Sequence, residues 1–205
     1  LIDDFAECIR FMSESELYQL ELLWKLNTTQ EQYERVVSGK TAILFQASAK
    51  TPCYLNEENS QISNYFAEYG RNLGFAFQIF DDCLDYEGKQ SQLGKPVLND
   101  LLEGKITLPL IYALNTEHVS TIKLKNLVTS IIESGVASTQ EKEDLLNFVK
   151  ETEGLEKAFM TAETYSEKAR EALTKIENEL KLTSEQHQAL DALREITYFV
   201  LNRKN

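Results

Sequence analysis

Apolar residues recur every three or four positions along most of the chain, the period of a helix with one buried face. From Leu1 to Trp24 the set Ile2, Phe5, Ile9, Met12, Leu20 and Leu23 predicts a first helix. Asn27-Thr28-Thr29 interrupts it, and Thr28 with Glu31 fits a capping box opening a second helix over about 29–50. Gly39-Lys40-Thr41 lies inside that helix. A mid-helix glycine costs about 1 kcal/mol against alanine, so its presence asks for a kink or a close approach. A turn holding Pro52 at 51–56 precedes a long helix over 57–85. Residues 86–99, with Gly88, Lys89, Gly94, Lys95 and Pro96, read as a loop. A short helical turn runs from Asp100 to Gly104, and Thr107 caps a further helix with Pro109 in its first turn. Four more helices follow over about 119–134, 139–150, 155–180 and 184–201, with Gly135 and Gly154 between them. The pattern predicts an all-α fold without internal repeats.

Composition narrows the class. Only 8 glycines and 3 prolines among 205 residues agree with helices joined by few tight turns, and the length suits one domain, residues 1–205. A formal net charge of −12 argues against nucleic acid or an anionic membrane as partner. No stretch is long and apolar enough for a transmembrane segment. Cys8, Cys53 and Cys83 are odd in number and lack metal-ligand spacing, which predicts a reducing, cytoplasmic setting. His118 and His187 have no partner at ligand spacing and read as ordinary exposed residues.

The candidate chemistry lies at the end of the long helix. Leu73, Phe75, Ala76, Phe77, Ile79 and Phe80 form an apolar, aromatic run that ends in Asp81, Asp82 and Asp85. At about 100° per residue Asp81 and Asp85 fall roughly 40° apart, with Asp82 on their flank. Converging carboxylates repel one another, a cation relieves them, and an all-oxygen donor set suits Mg²⁺. Lys40, Lys95 and Lys105 are then candidates to hold an anion, and the sum of metal-binding acids and lysines is a diphosphate site. The competing reading is a solvated helix end that begins a loop. Gln78, three residues before Asp81, shares its helix face; lining a site and satisfying a backbone group are both open to it.

FQIFDDCLDY, LGKPVLNDLLEGKITLPLIYAL and EQYERVVSGKTAILFQASA resemble the second half of a trans-type polyprenyl (isoprenyl) diphosphate synthase, and DDCLD resembles that family's second aspartate-rich motif. The resemblance runs from about Glu14 onward. It implies an isoprenoid synthase-type helical bundle around a central cavity. The family's first aspartate-rich motif and its paired arginines are not found. Asp3-Asp4 is followed by Glu7 and Arg10 without a third aspartate, and SESELYQLE matches a segment that the family places after that motif. The chain therefore reads as a C-terminal portion, its first helices missing.

The resemblance also implies a reaction: Mg²⁺-dependent, head-to-tail condensation of isopentenyl diphosphate with an allylic diphosphate. It implies that the helix bends at Lys40-Thr41, Lys40 binding the allylic diphosphate and Thr41 facing the developing cation. The resemblance implies further that Gln78 lines the same cavity, that the loop carrying Lys95 closes over the diphosphate, and that Arg203 belongs to a basic tail able to fold back towards the site. A homodimer is expected, a hetero-oligomer being the variant in which a partner completes the site. The wording around GKPVLNDLLEGKITLPL leans towards long chains for quinones. A terpene cyclase is the nearest competitor, but Asn99-Asp100-Leu101-Leu102-Glu103 lacks the spacing and hydroxyl of its second metal motif. The other is an incomplete or non-catalytic subunit or fragment that binds Mg²⁺ and diphosphate but needs a partner or the missing N-terminal segment for activity. The chain alone is then expected to be weak or inactive.

Overall fold

The computed structural model describes residues 2–55, 60–87 and 97–203. These form α1 (Ile2–Leu22), α2 (Gln30–Val37), a π-turn (Ser38–Ala42), α3 (Ile43–Leu55), α4 (Ser60–Leu84), α5 (Asn99–Leu102), α6 (Leu108–Asn115), α7 (Val119–Ser134), α8 (Thr139–Glu151), α9 (Gly154–Glu179) and α10 (Ser184–Asn202). No strand occurs among the described residues. Contacts cluster into two compact units. Among the described residues, one comprises 2–16, 35–55, 60–78 and 162–203; the other comprises 17–34, 79–87 and 97–161.

The first unit is built on the apolar stripe of α4. Tyr69, Leu73 and Ala76 pack with Ala169, Ala172, Leu173 and Ile176 of α9 and with Leu190 and Val200 of α10. Alanines at the α9 positions let the helices approach closely. Phe75 stacks on Tyr165 at 4.6 Å, and the Tyr69 hydroxyl donates to the Leu193 carbonyl at 3.0 Å. Against the π-turn the approach is closer still: a Cβ on Gly74 would lie 2.7 Å from Ala42 Cα. In the second unit α6, α7 and α8 pack around buried Leu108, Leu110, Leu124, Val128, Ile131 and Leu145, and Phe80 meets Phe159 edge-on at 5.4 Å.

Two boundaries differ from the sequence reading. The capping box opening α2 is formed by Thr29 and Gln32: the Thr29 amide donates to Gln32 Oε1 and the Gln32 amide to Thr29 Oγ1, while Thr28 turns back to the Lys25 carbonyl. The expected turn over 51–56 is helical through Leu55, with Pro52 inside α3. Pro52 lies in the last turn of α3, where a missing N–H and a crowded carbonyl disturb little helix beyond it, and Thr51 Oγ1 donates to the Ala47 carbonyl just before it. His118, exposed as expected, also caps α7, its Nδ1 accepting from the Ser120 amide.

Candidate active site

Lys40 and Thr41 stand in the π-turn, where the Ile43 amide reaches back to the Ser38 carbonyl and the helix widens by a residue. The widening sends the two neighbouring side chains to different partners. Lys40 Nζ lies 3.0 Å from Glu16 Oε1 of α1. Thr41 Oγ1 donates to Gln78 Oε1 of α4 at 2.7 Å, so Gln78 serves a side chain rather than a backbone group through that oxygen. The residue before Gln78, Phe77, tilts against Phe45 at 5.4 Å and carries the Arg203 guanidinium 3.8 Å above its ring. Arg203 also donates to the Phe77 carbonyl, so the chain's C-terminal segment does fold onto α4.

In the second unit the three aspartates meet three environments. Asp81 is exposed. Asp82 is 4% exposed and accepts a 2.6 Å hydrogen bond from the Tyr33 hydroxyl. Burial, then the Asp82 charge, push the Tyr33 phenol well up, so it stays protonated as the donor. Asp85 grips the start of α5. Its carbonyl accepts the Leu98 amide, Oδ1 the Asn99 amide and Oδ2 the Asp100 amide. Leu98 is left-handed there, at φ 62°, a conformation that costs a non-glycine residue about 1–2 kcal/mol and is held by those bonds. Burial raises the Asp85 carboxyl to about 6 against the pull of the Asn99 amide, with the Asp100 charge adding to the rise.

Lys105 pairs with Glu103 Oε2 at 2.6 Å and Asp100 Oδ1 at 3.2 Å. Burial pulls its ammonium down, but those hydrogen bonds and charges outweigh the loss and leave it raised. Lys95 lies outside the described residues, as do Gly88, Lys89, Gly94 and Pro96. Sequence alone gives no role to Tyr33; for Glu16, as for Gln19, it offers a match to a polar position of the comparable helix in the family it resembles, against the plainer reading of a surface residue. Tyr33 carries one signal, a tyrosine at the spacing of buried Val36 and Val37; its carboxylate partner is not legible there.

The polyprenyl synthetase family profile matches residues 1–149. This chain belongs to that family. Among relatives of this polyprenyl synthetase-family chain, geranylgeranyl diphosphate synthase of Saccharolobus solfataricus is 30% identical over 200 residues, covering 98% of this chain and 57% of that protein. Octaprenyl diphosphate synthase of Escherichia coli is 38% identical over 135 residues, covering 66% and 41%. The chain thus spans less than two thirds of the length of these relatives. Solved polyprenyl synthase structures share the all-α isoprenoid synthase fold. A decaprenyl diphosphate synthase from Rhodobacter capsulatus aligns with TM-score 0.84 and 29% identity over 100% of this chain and 59% of its own. A polyprenyl synthase from Caulobacter crescentus, complexed with calcium and isoprenyl diphosphate, aligns with TM-score 0.86 and 27% identity over the same shares.

No group of three His, Cys, Asp or Glu side chains forms a ready metal cage among the described residues. The donors of the DDCLD segment nevertheless fit a hard cation. Asp81 faces solvent, and a carboxylate accepts at several lone pairs, so Asp82 and Asp85 keep acceptor capacity beyond their present bonds. Cys83, between the aspartates, adds no soft ligand: it is fully buried and its thiol is pushed well up by that burial, so it stays protonated.

Proposed function

We propose that this chain carries out prenyl transfer, the head-to-tail condensation of isopentenyl diphosphate with an allylic diphosphate, with Mg²⁺ as cofactor. The observation that carries the reading is the widened turn at Lys40-Thr41, bonded through Thr41 to Gln78 on the helix that runs into Asp81, Asp82 and Asp85. The named activities of the relatives, and the calcium and isoprenyl diphosphate bound to one of them, support it.

In this reading Asp81, Asp82 and Asp85 hold the metal, and Asp81 is the carboxylate already presented to solvent. When bound, Mg²⁺ neutralises charge on the departing diphosphate and lowers the barrier to ionisation. Lys40 and Lys105 bind diphosphate oxygens, each giving up a carboxylate partner to do so. The allylic carbon–oxygen bond breaks, the isopentenyl double bond attacks the cation, and loss of a proton restores an alkene. Thr41, fixed by Gln78, presents an oxygen dipole to the developing positive charge. A cytoplasmic setting, supported by the free thiols of Cys8, Cys53 and Cys83, and the homodimer implied by the resemblance belong to the same proposal.

The test is incubation with isopentenyl diphosphate, farnesyl diphosphate and Mg²⁺, read by mass spectrometry. Prenyl diphosphates longer by whole five-carbon units, lost on chelation, are the expected result. Absence of product together with absence of Mg²⁺-dependent pyrophosphate binding would overturn the proposal.

A further inference from the structure

Helix α1 and the π-turn interlock one residue before the Glu16–Lys40 pair. Ser15 Oγ donates to the Val36 carbonyl at 2.7 Å in a buried position. A Cβ on Gly39 would lie 2.7 Å from Ser15 Cβ and 3.0 Å from the Phe11 carbonyl, so the segments meet at backbone range. Advancing one residue along each gives Glu16 and Lys40, 3.0 Å apart. Buried contacts therefore fix the register that places this carboxylate against this ammonium, although the Glu16 side chain itself is 56% exposed. A lysine ammonium is a point charge on a flexible four-carbon stem, free to exchange one anion for another.

We propose that Glu16 is a positioning residue for diphosphate exchange: it is the resting counter-ion of Lys40, displaced when diphosphate binds and restored when diphosphate leaves. This rests on the assignment of Lys40 to diphosphate above. A diphosphate arriving at Lys40 displaces a carboxylate that stays close by and repels it. The affinity of the site for the anion is held down, and release of inorganic diphosphate after each condensation is correspondingly eased. A neutral side chain of the same shape removes both effects. Because the pair is partly exposed, the change is about twofold to fivefold, not orders of magnitude.

The experiment is calorimetric titration of inorganic pyrophosphate with Mg²⁺ into the chain and into Glu16→Gln, Lys40→Met and the double variant, with thermal melts of each. Glu16→Gln is expected to bind about threefold tighter, a size in keeping with exposed ion pairs, and Lys40→Met weaker. In the double variant the glutamine adds nothing. Glu16→Asp, which keeps the charge but one methylene short of Lys40, falls between the chain and Glu16→Gln, a graded response that a merely structural role would not give. The inference is overturned if Glu16→Gln binds equally or more weakly. It is overturned too if the same gain survives in the Lys40→Met background, because that gain is then a general effect of removing one negative charge. Pyrophosphate binding without this coupling removes the Glu16 role and leaves the proposed function standing; no Mg²⁺-dependent binding by the unaltered chain removes both.

Discussion

Asp81, Asp82 and Asp85 occupy five residues of chain, and their environments separate what each can do. Asp81→Ala is expected to abolish Mg²⁺-dependent pyrophosphate binding, whereas Asp3→Ala, at the exposed start of α1, leaves it unchanged; equal losses would refute the motif assignment. Tyr33→Phe deprives the buried Asp82 carboxylate of its phenol donor. Hydrogen bonds to charged groups contribute about 1.5–3 kcal/mol, so a fall of that order in unfolding free energy is expected from urea melts. Asp85 brings a pH dependence. Its carboxyl sits at about 6 in the metal-free fold against an ordinary 3.8, so the folded state holds the proton more firmly than the unfolded state. The contribution to stability is complete below 3.8 and is lost as pH rises through about 6. The stability difference between the chain and Asp85→Asn should therefore change across that window and level off above it; a constant difference would count against the raised value. The acids were legible because their spacing is local. Tyr33 was not, since it meets Asp82 from 49 residues away.

At the scale of elements, close approach decides more than helix propensity. Gly74→Ala puts a methyl 2.7 Å from Ala42 Cα, and the atom in its way is backbone, which cannot swing aside. Overpacking of this kind costs about 1–3 kcal/mol, so a lowered thermal midpoint is expected; an unchanged one would mean that the π-turn and α4 part without strain. Sequence periodicity located α7 to within its ends and α8, α9 and α10 to within a residue or so, because each has an uninterrupted apolar face and a clear cap or glycine beside it. It misread the approach to α2, where two threonines in succession offer two caps and only three-dimensional context picks Thr29. It also stopped α3 at Lys50, ahead of Pro52, applying a rule for helix interiors to a proline in the last turn. Gly39 announced that something departs from a plain helix; the close approach to Ser15 and the widened turn are both its answer.

For the molecule as a whole, the formal charge of −12 limits what it can meet. At low ionic strength, where a screening length of about 30 Å at 0.01 M leaves surface charges in view, no co-sedimentation with anionic vesicles is expected. Binding that weakened with added salt would reveal a basic face that the overall balance conceals. The all-α class was legible in the chain's period and punctuation, while the family rested on three quoted segments read together. The division into two units was not legible, since α1, α2, α4 and α9 each run on through it without a break in pattern. The π-turn has one more consequence, for the phase of the chain. Buried Val37 and Ala42 are five residues apart, a step longer than a helix repeat, after which Phe45 and Ala49 resume intervals of three and four. Removing one residue between Val37 and Ala42 would restore an even period and let α2 run into α3 as ordinary helix. Lys40 and Thr41 would then lose the divergence that sends one to Glu16 and the other to Gln78.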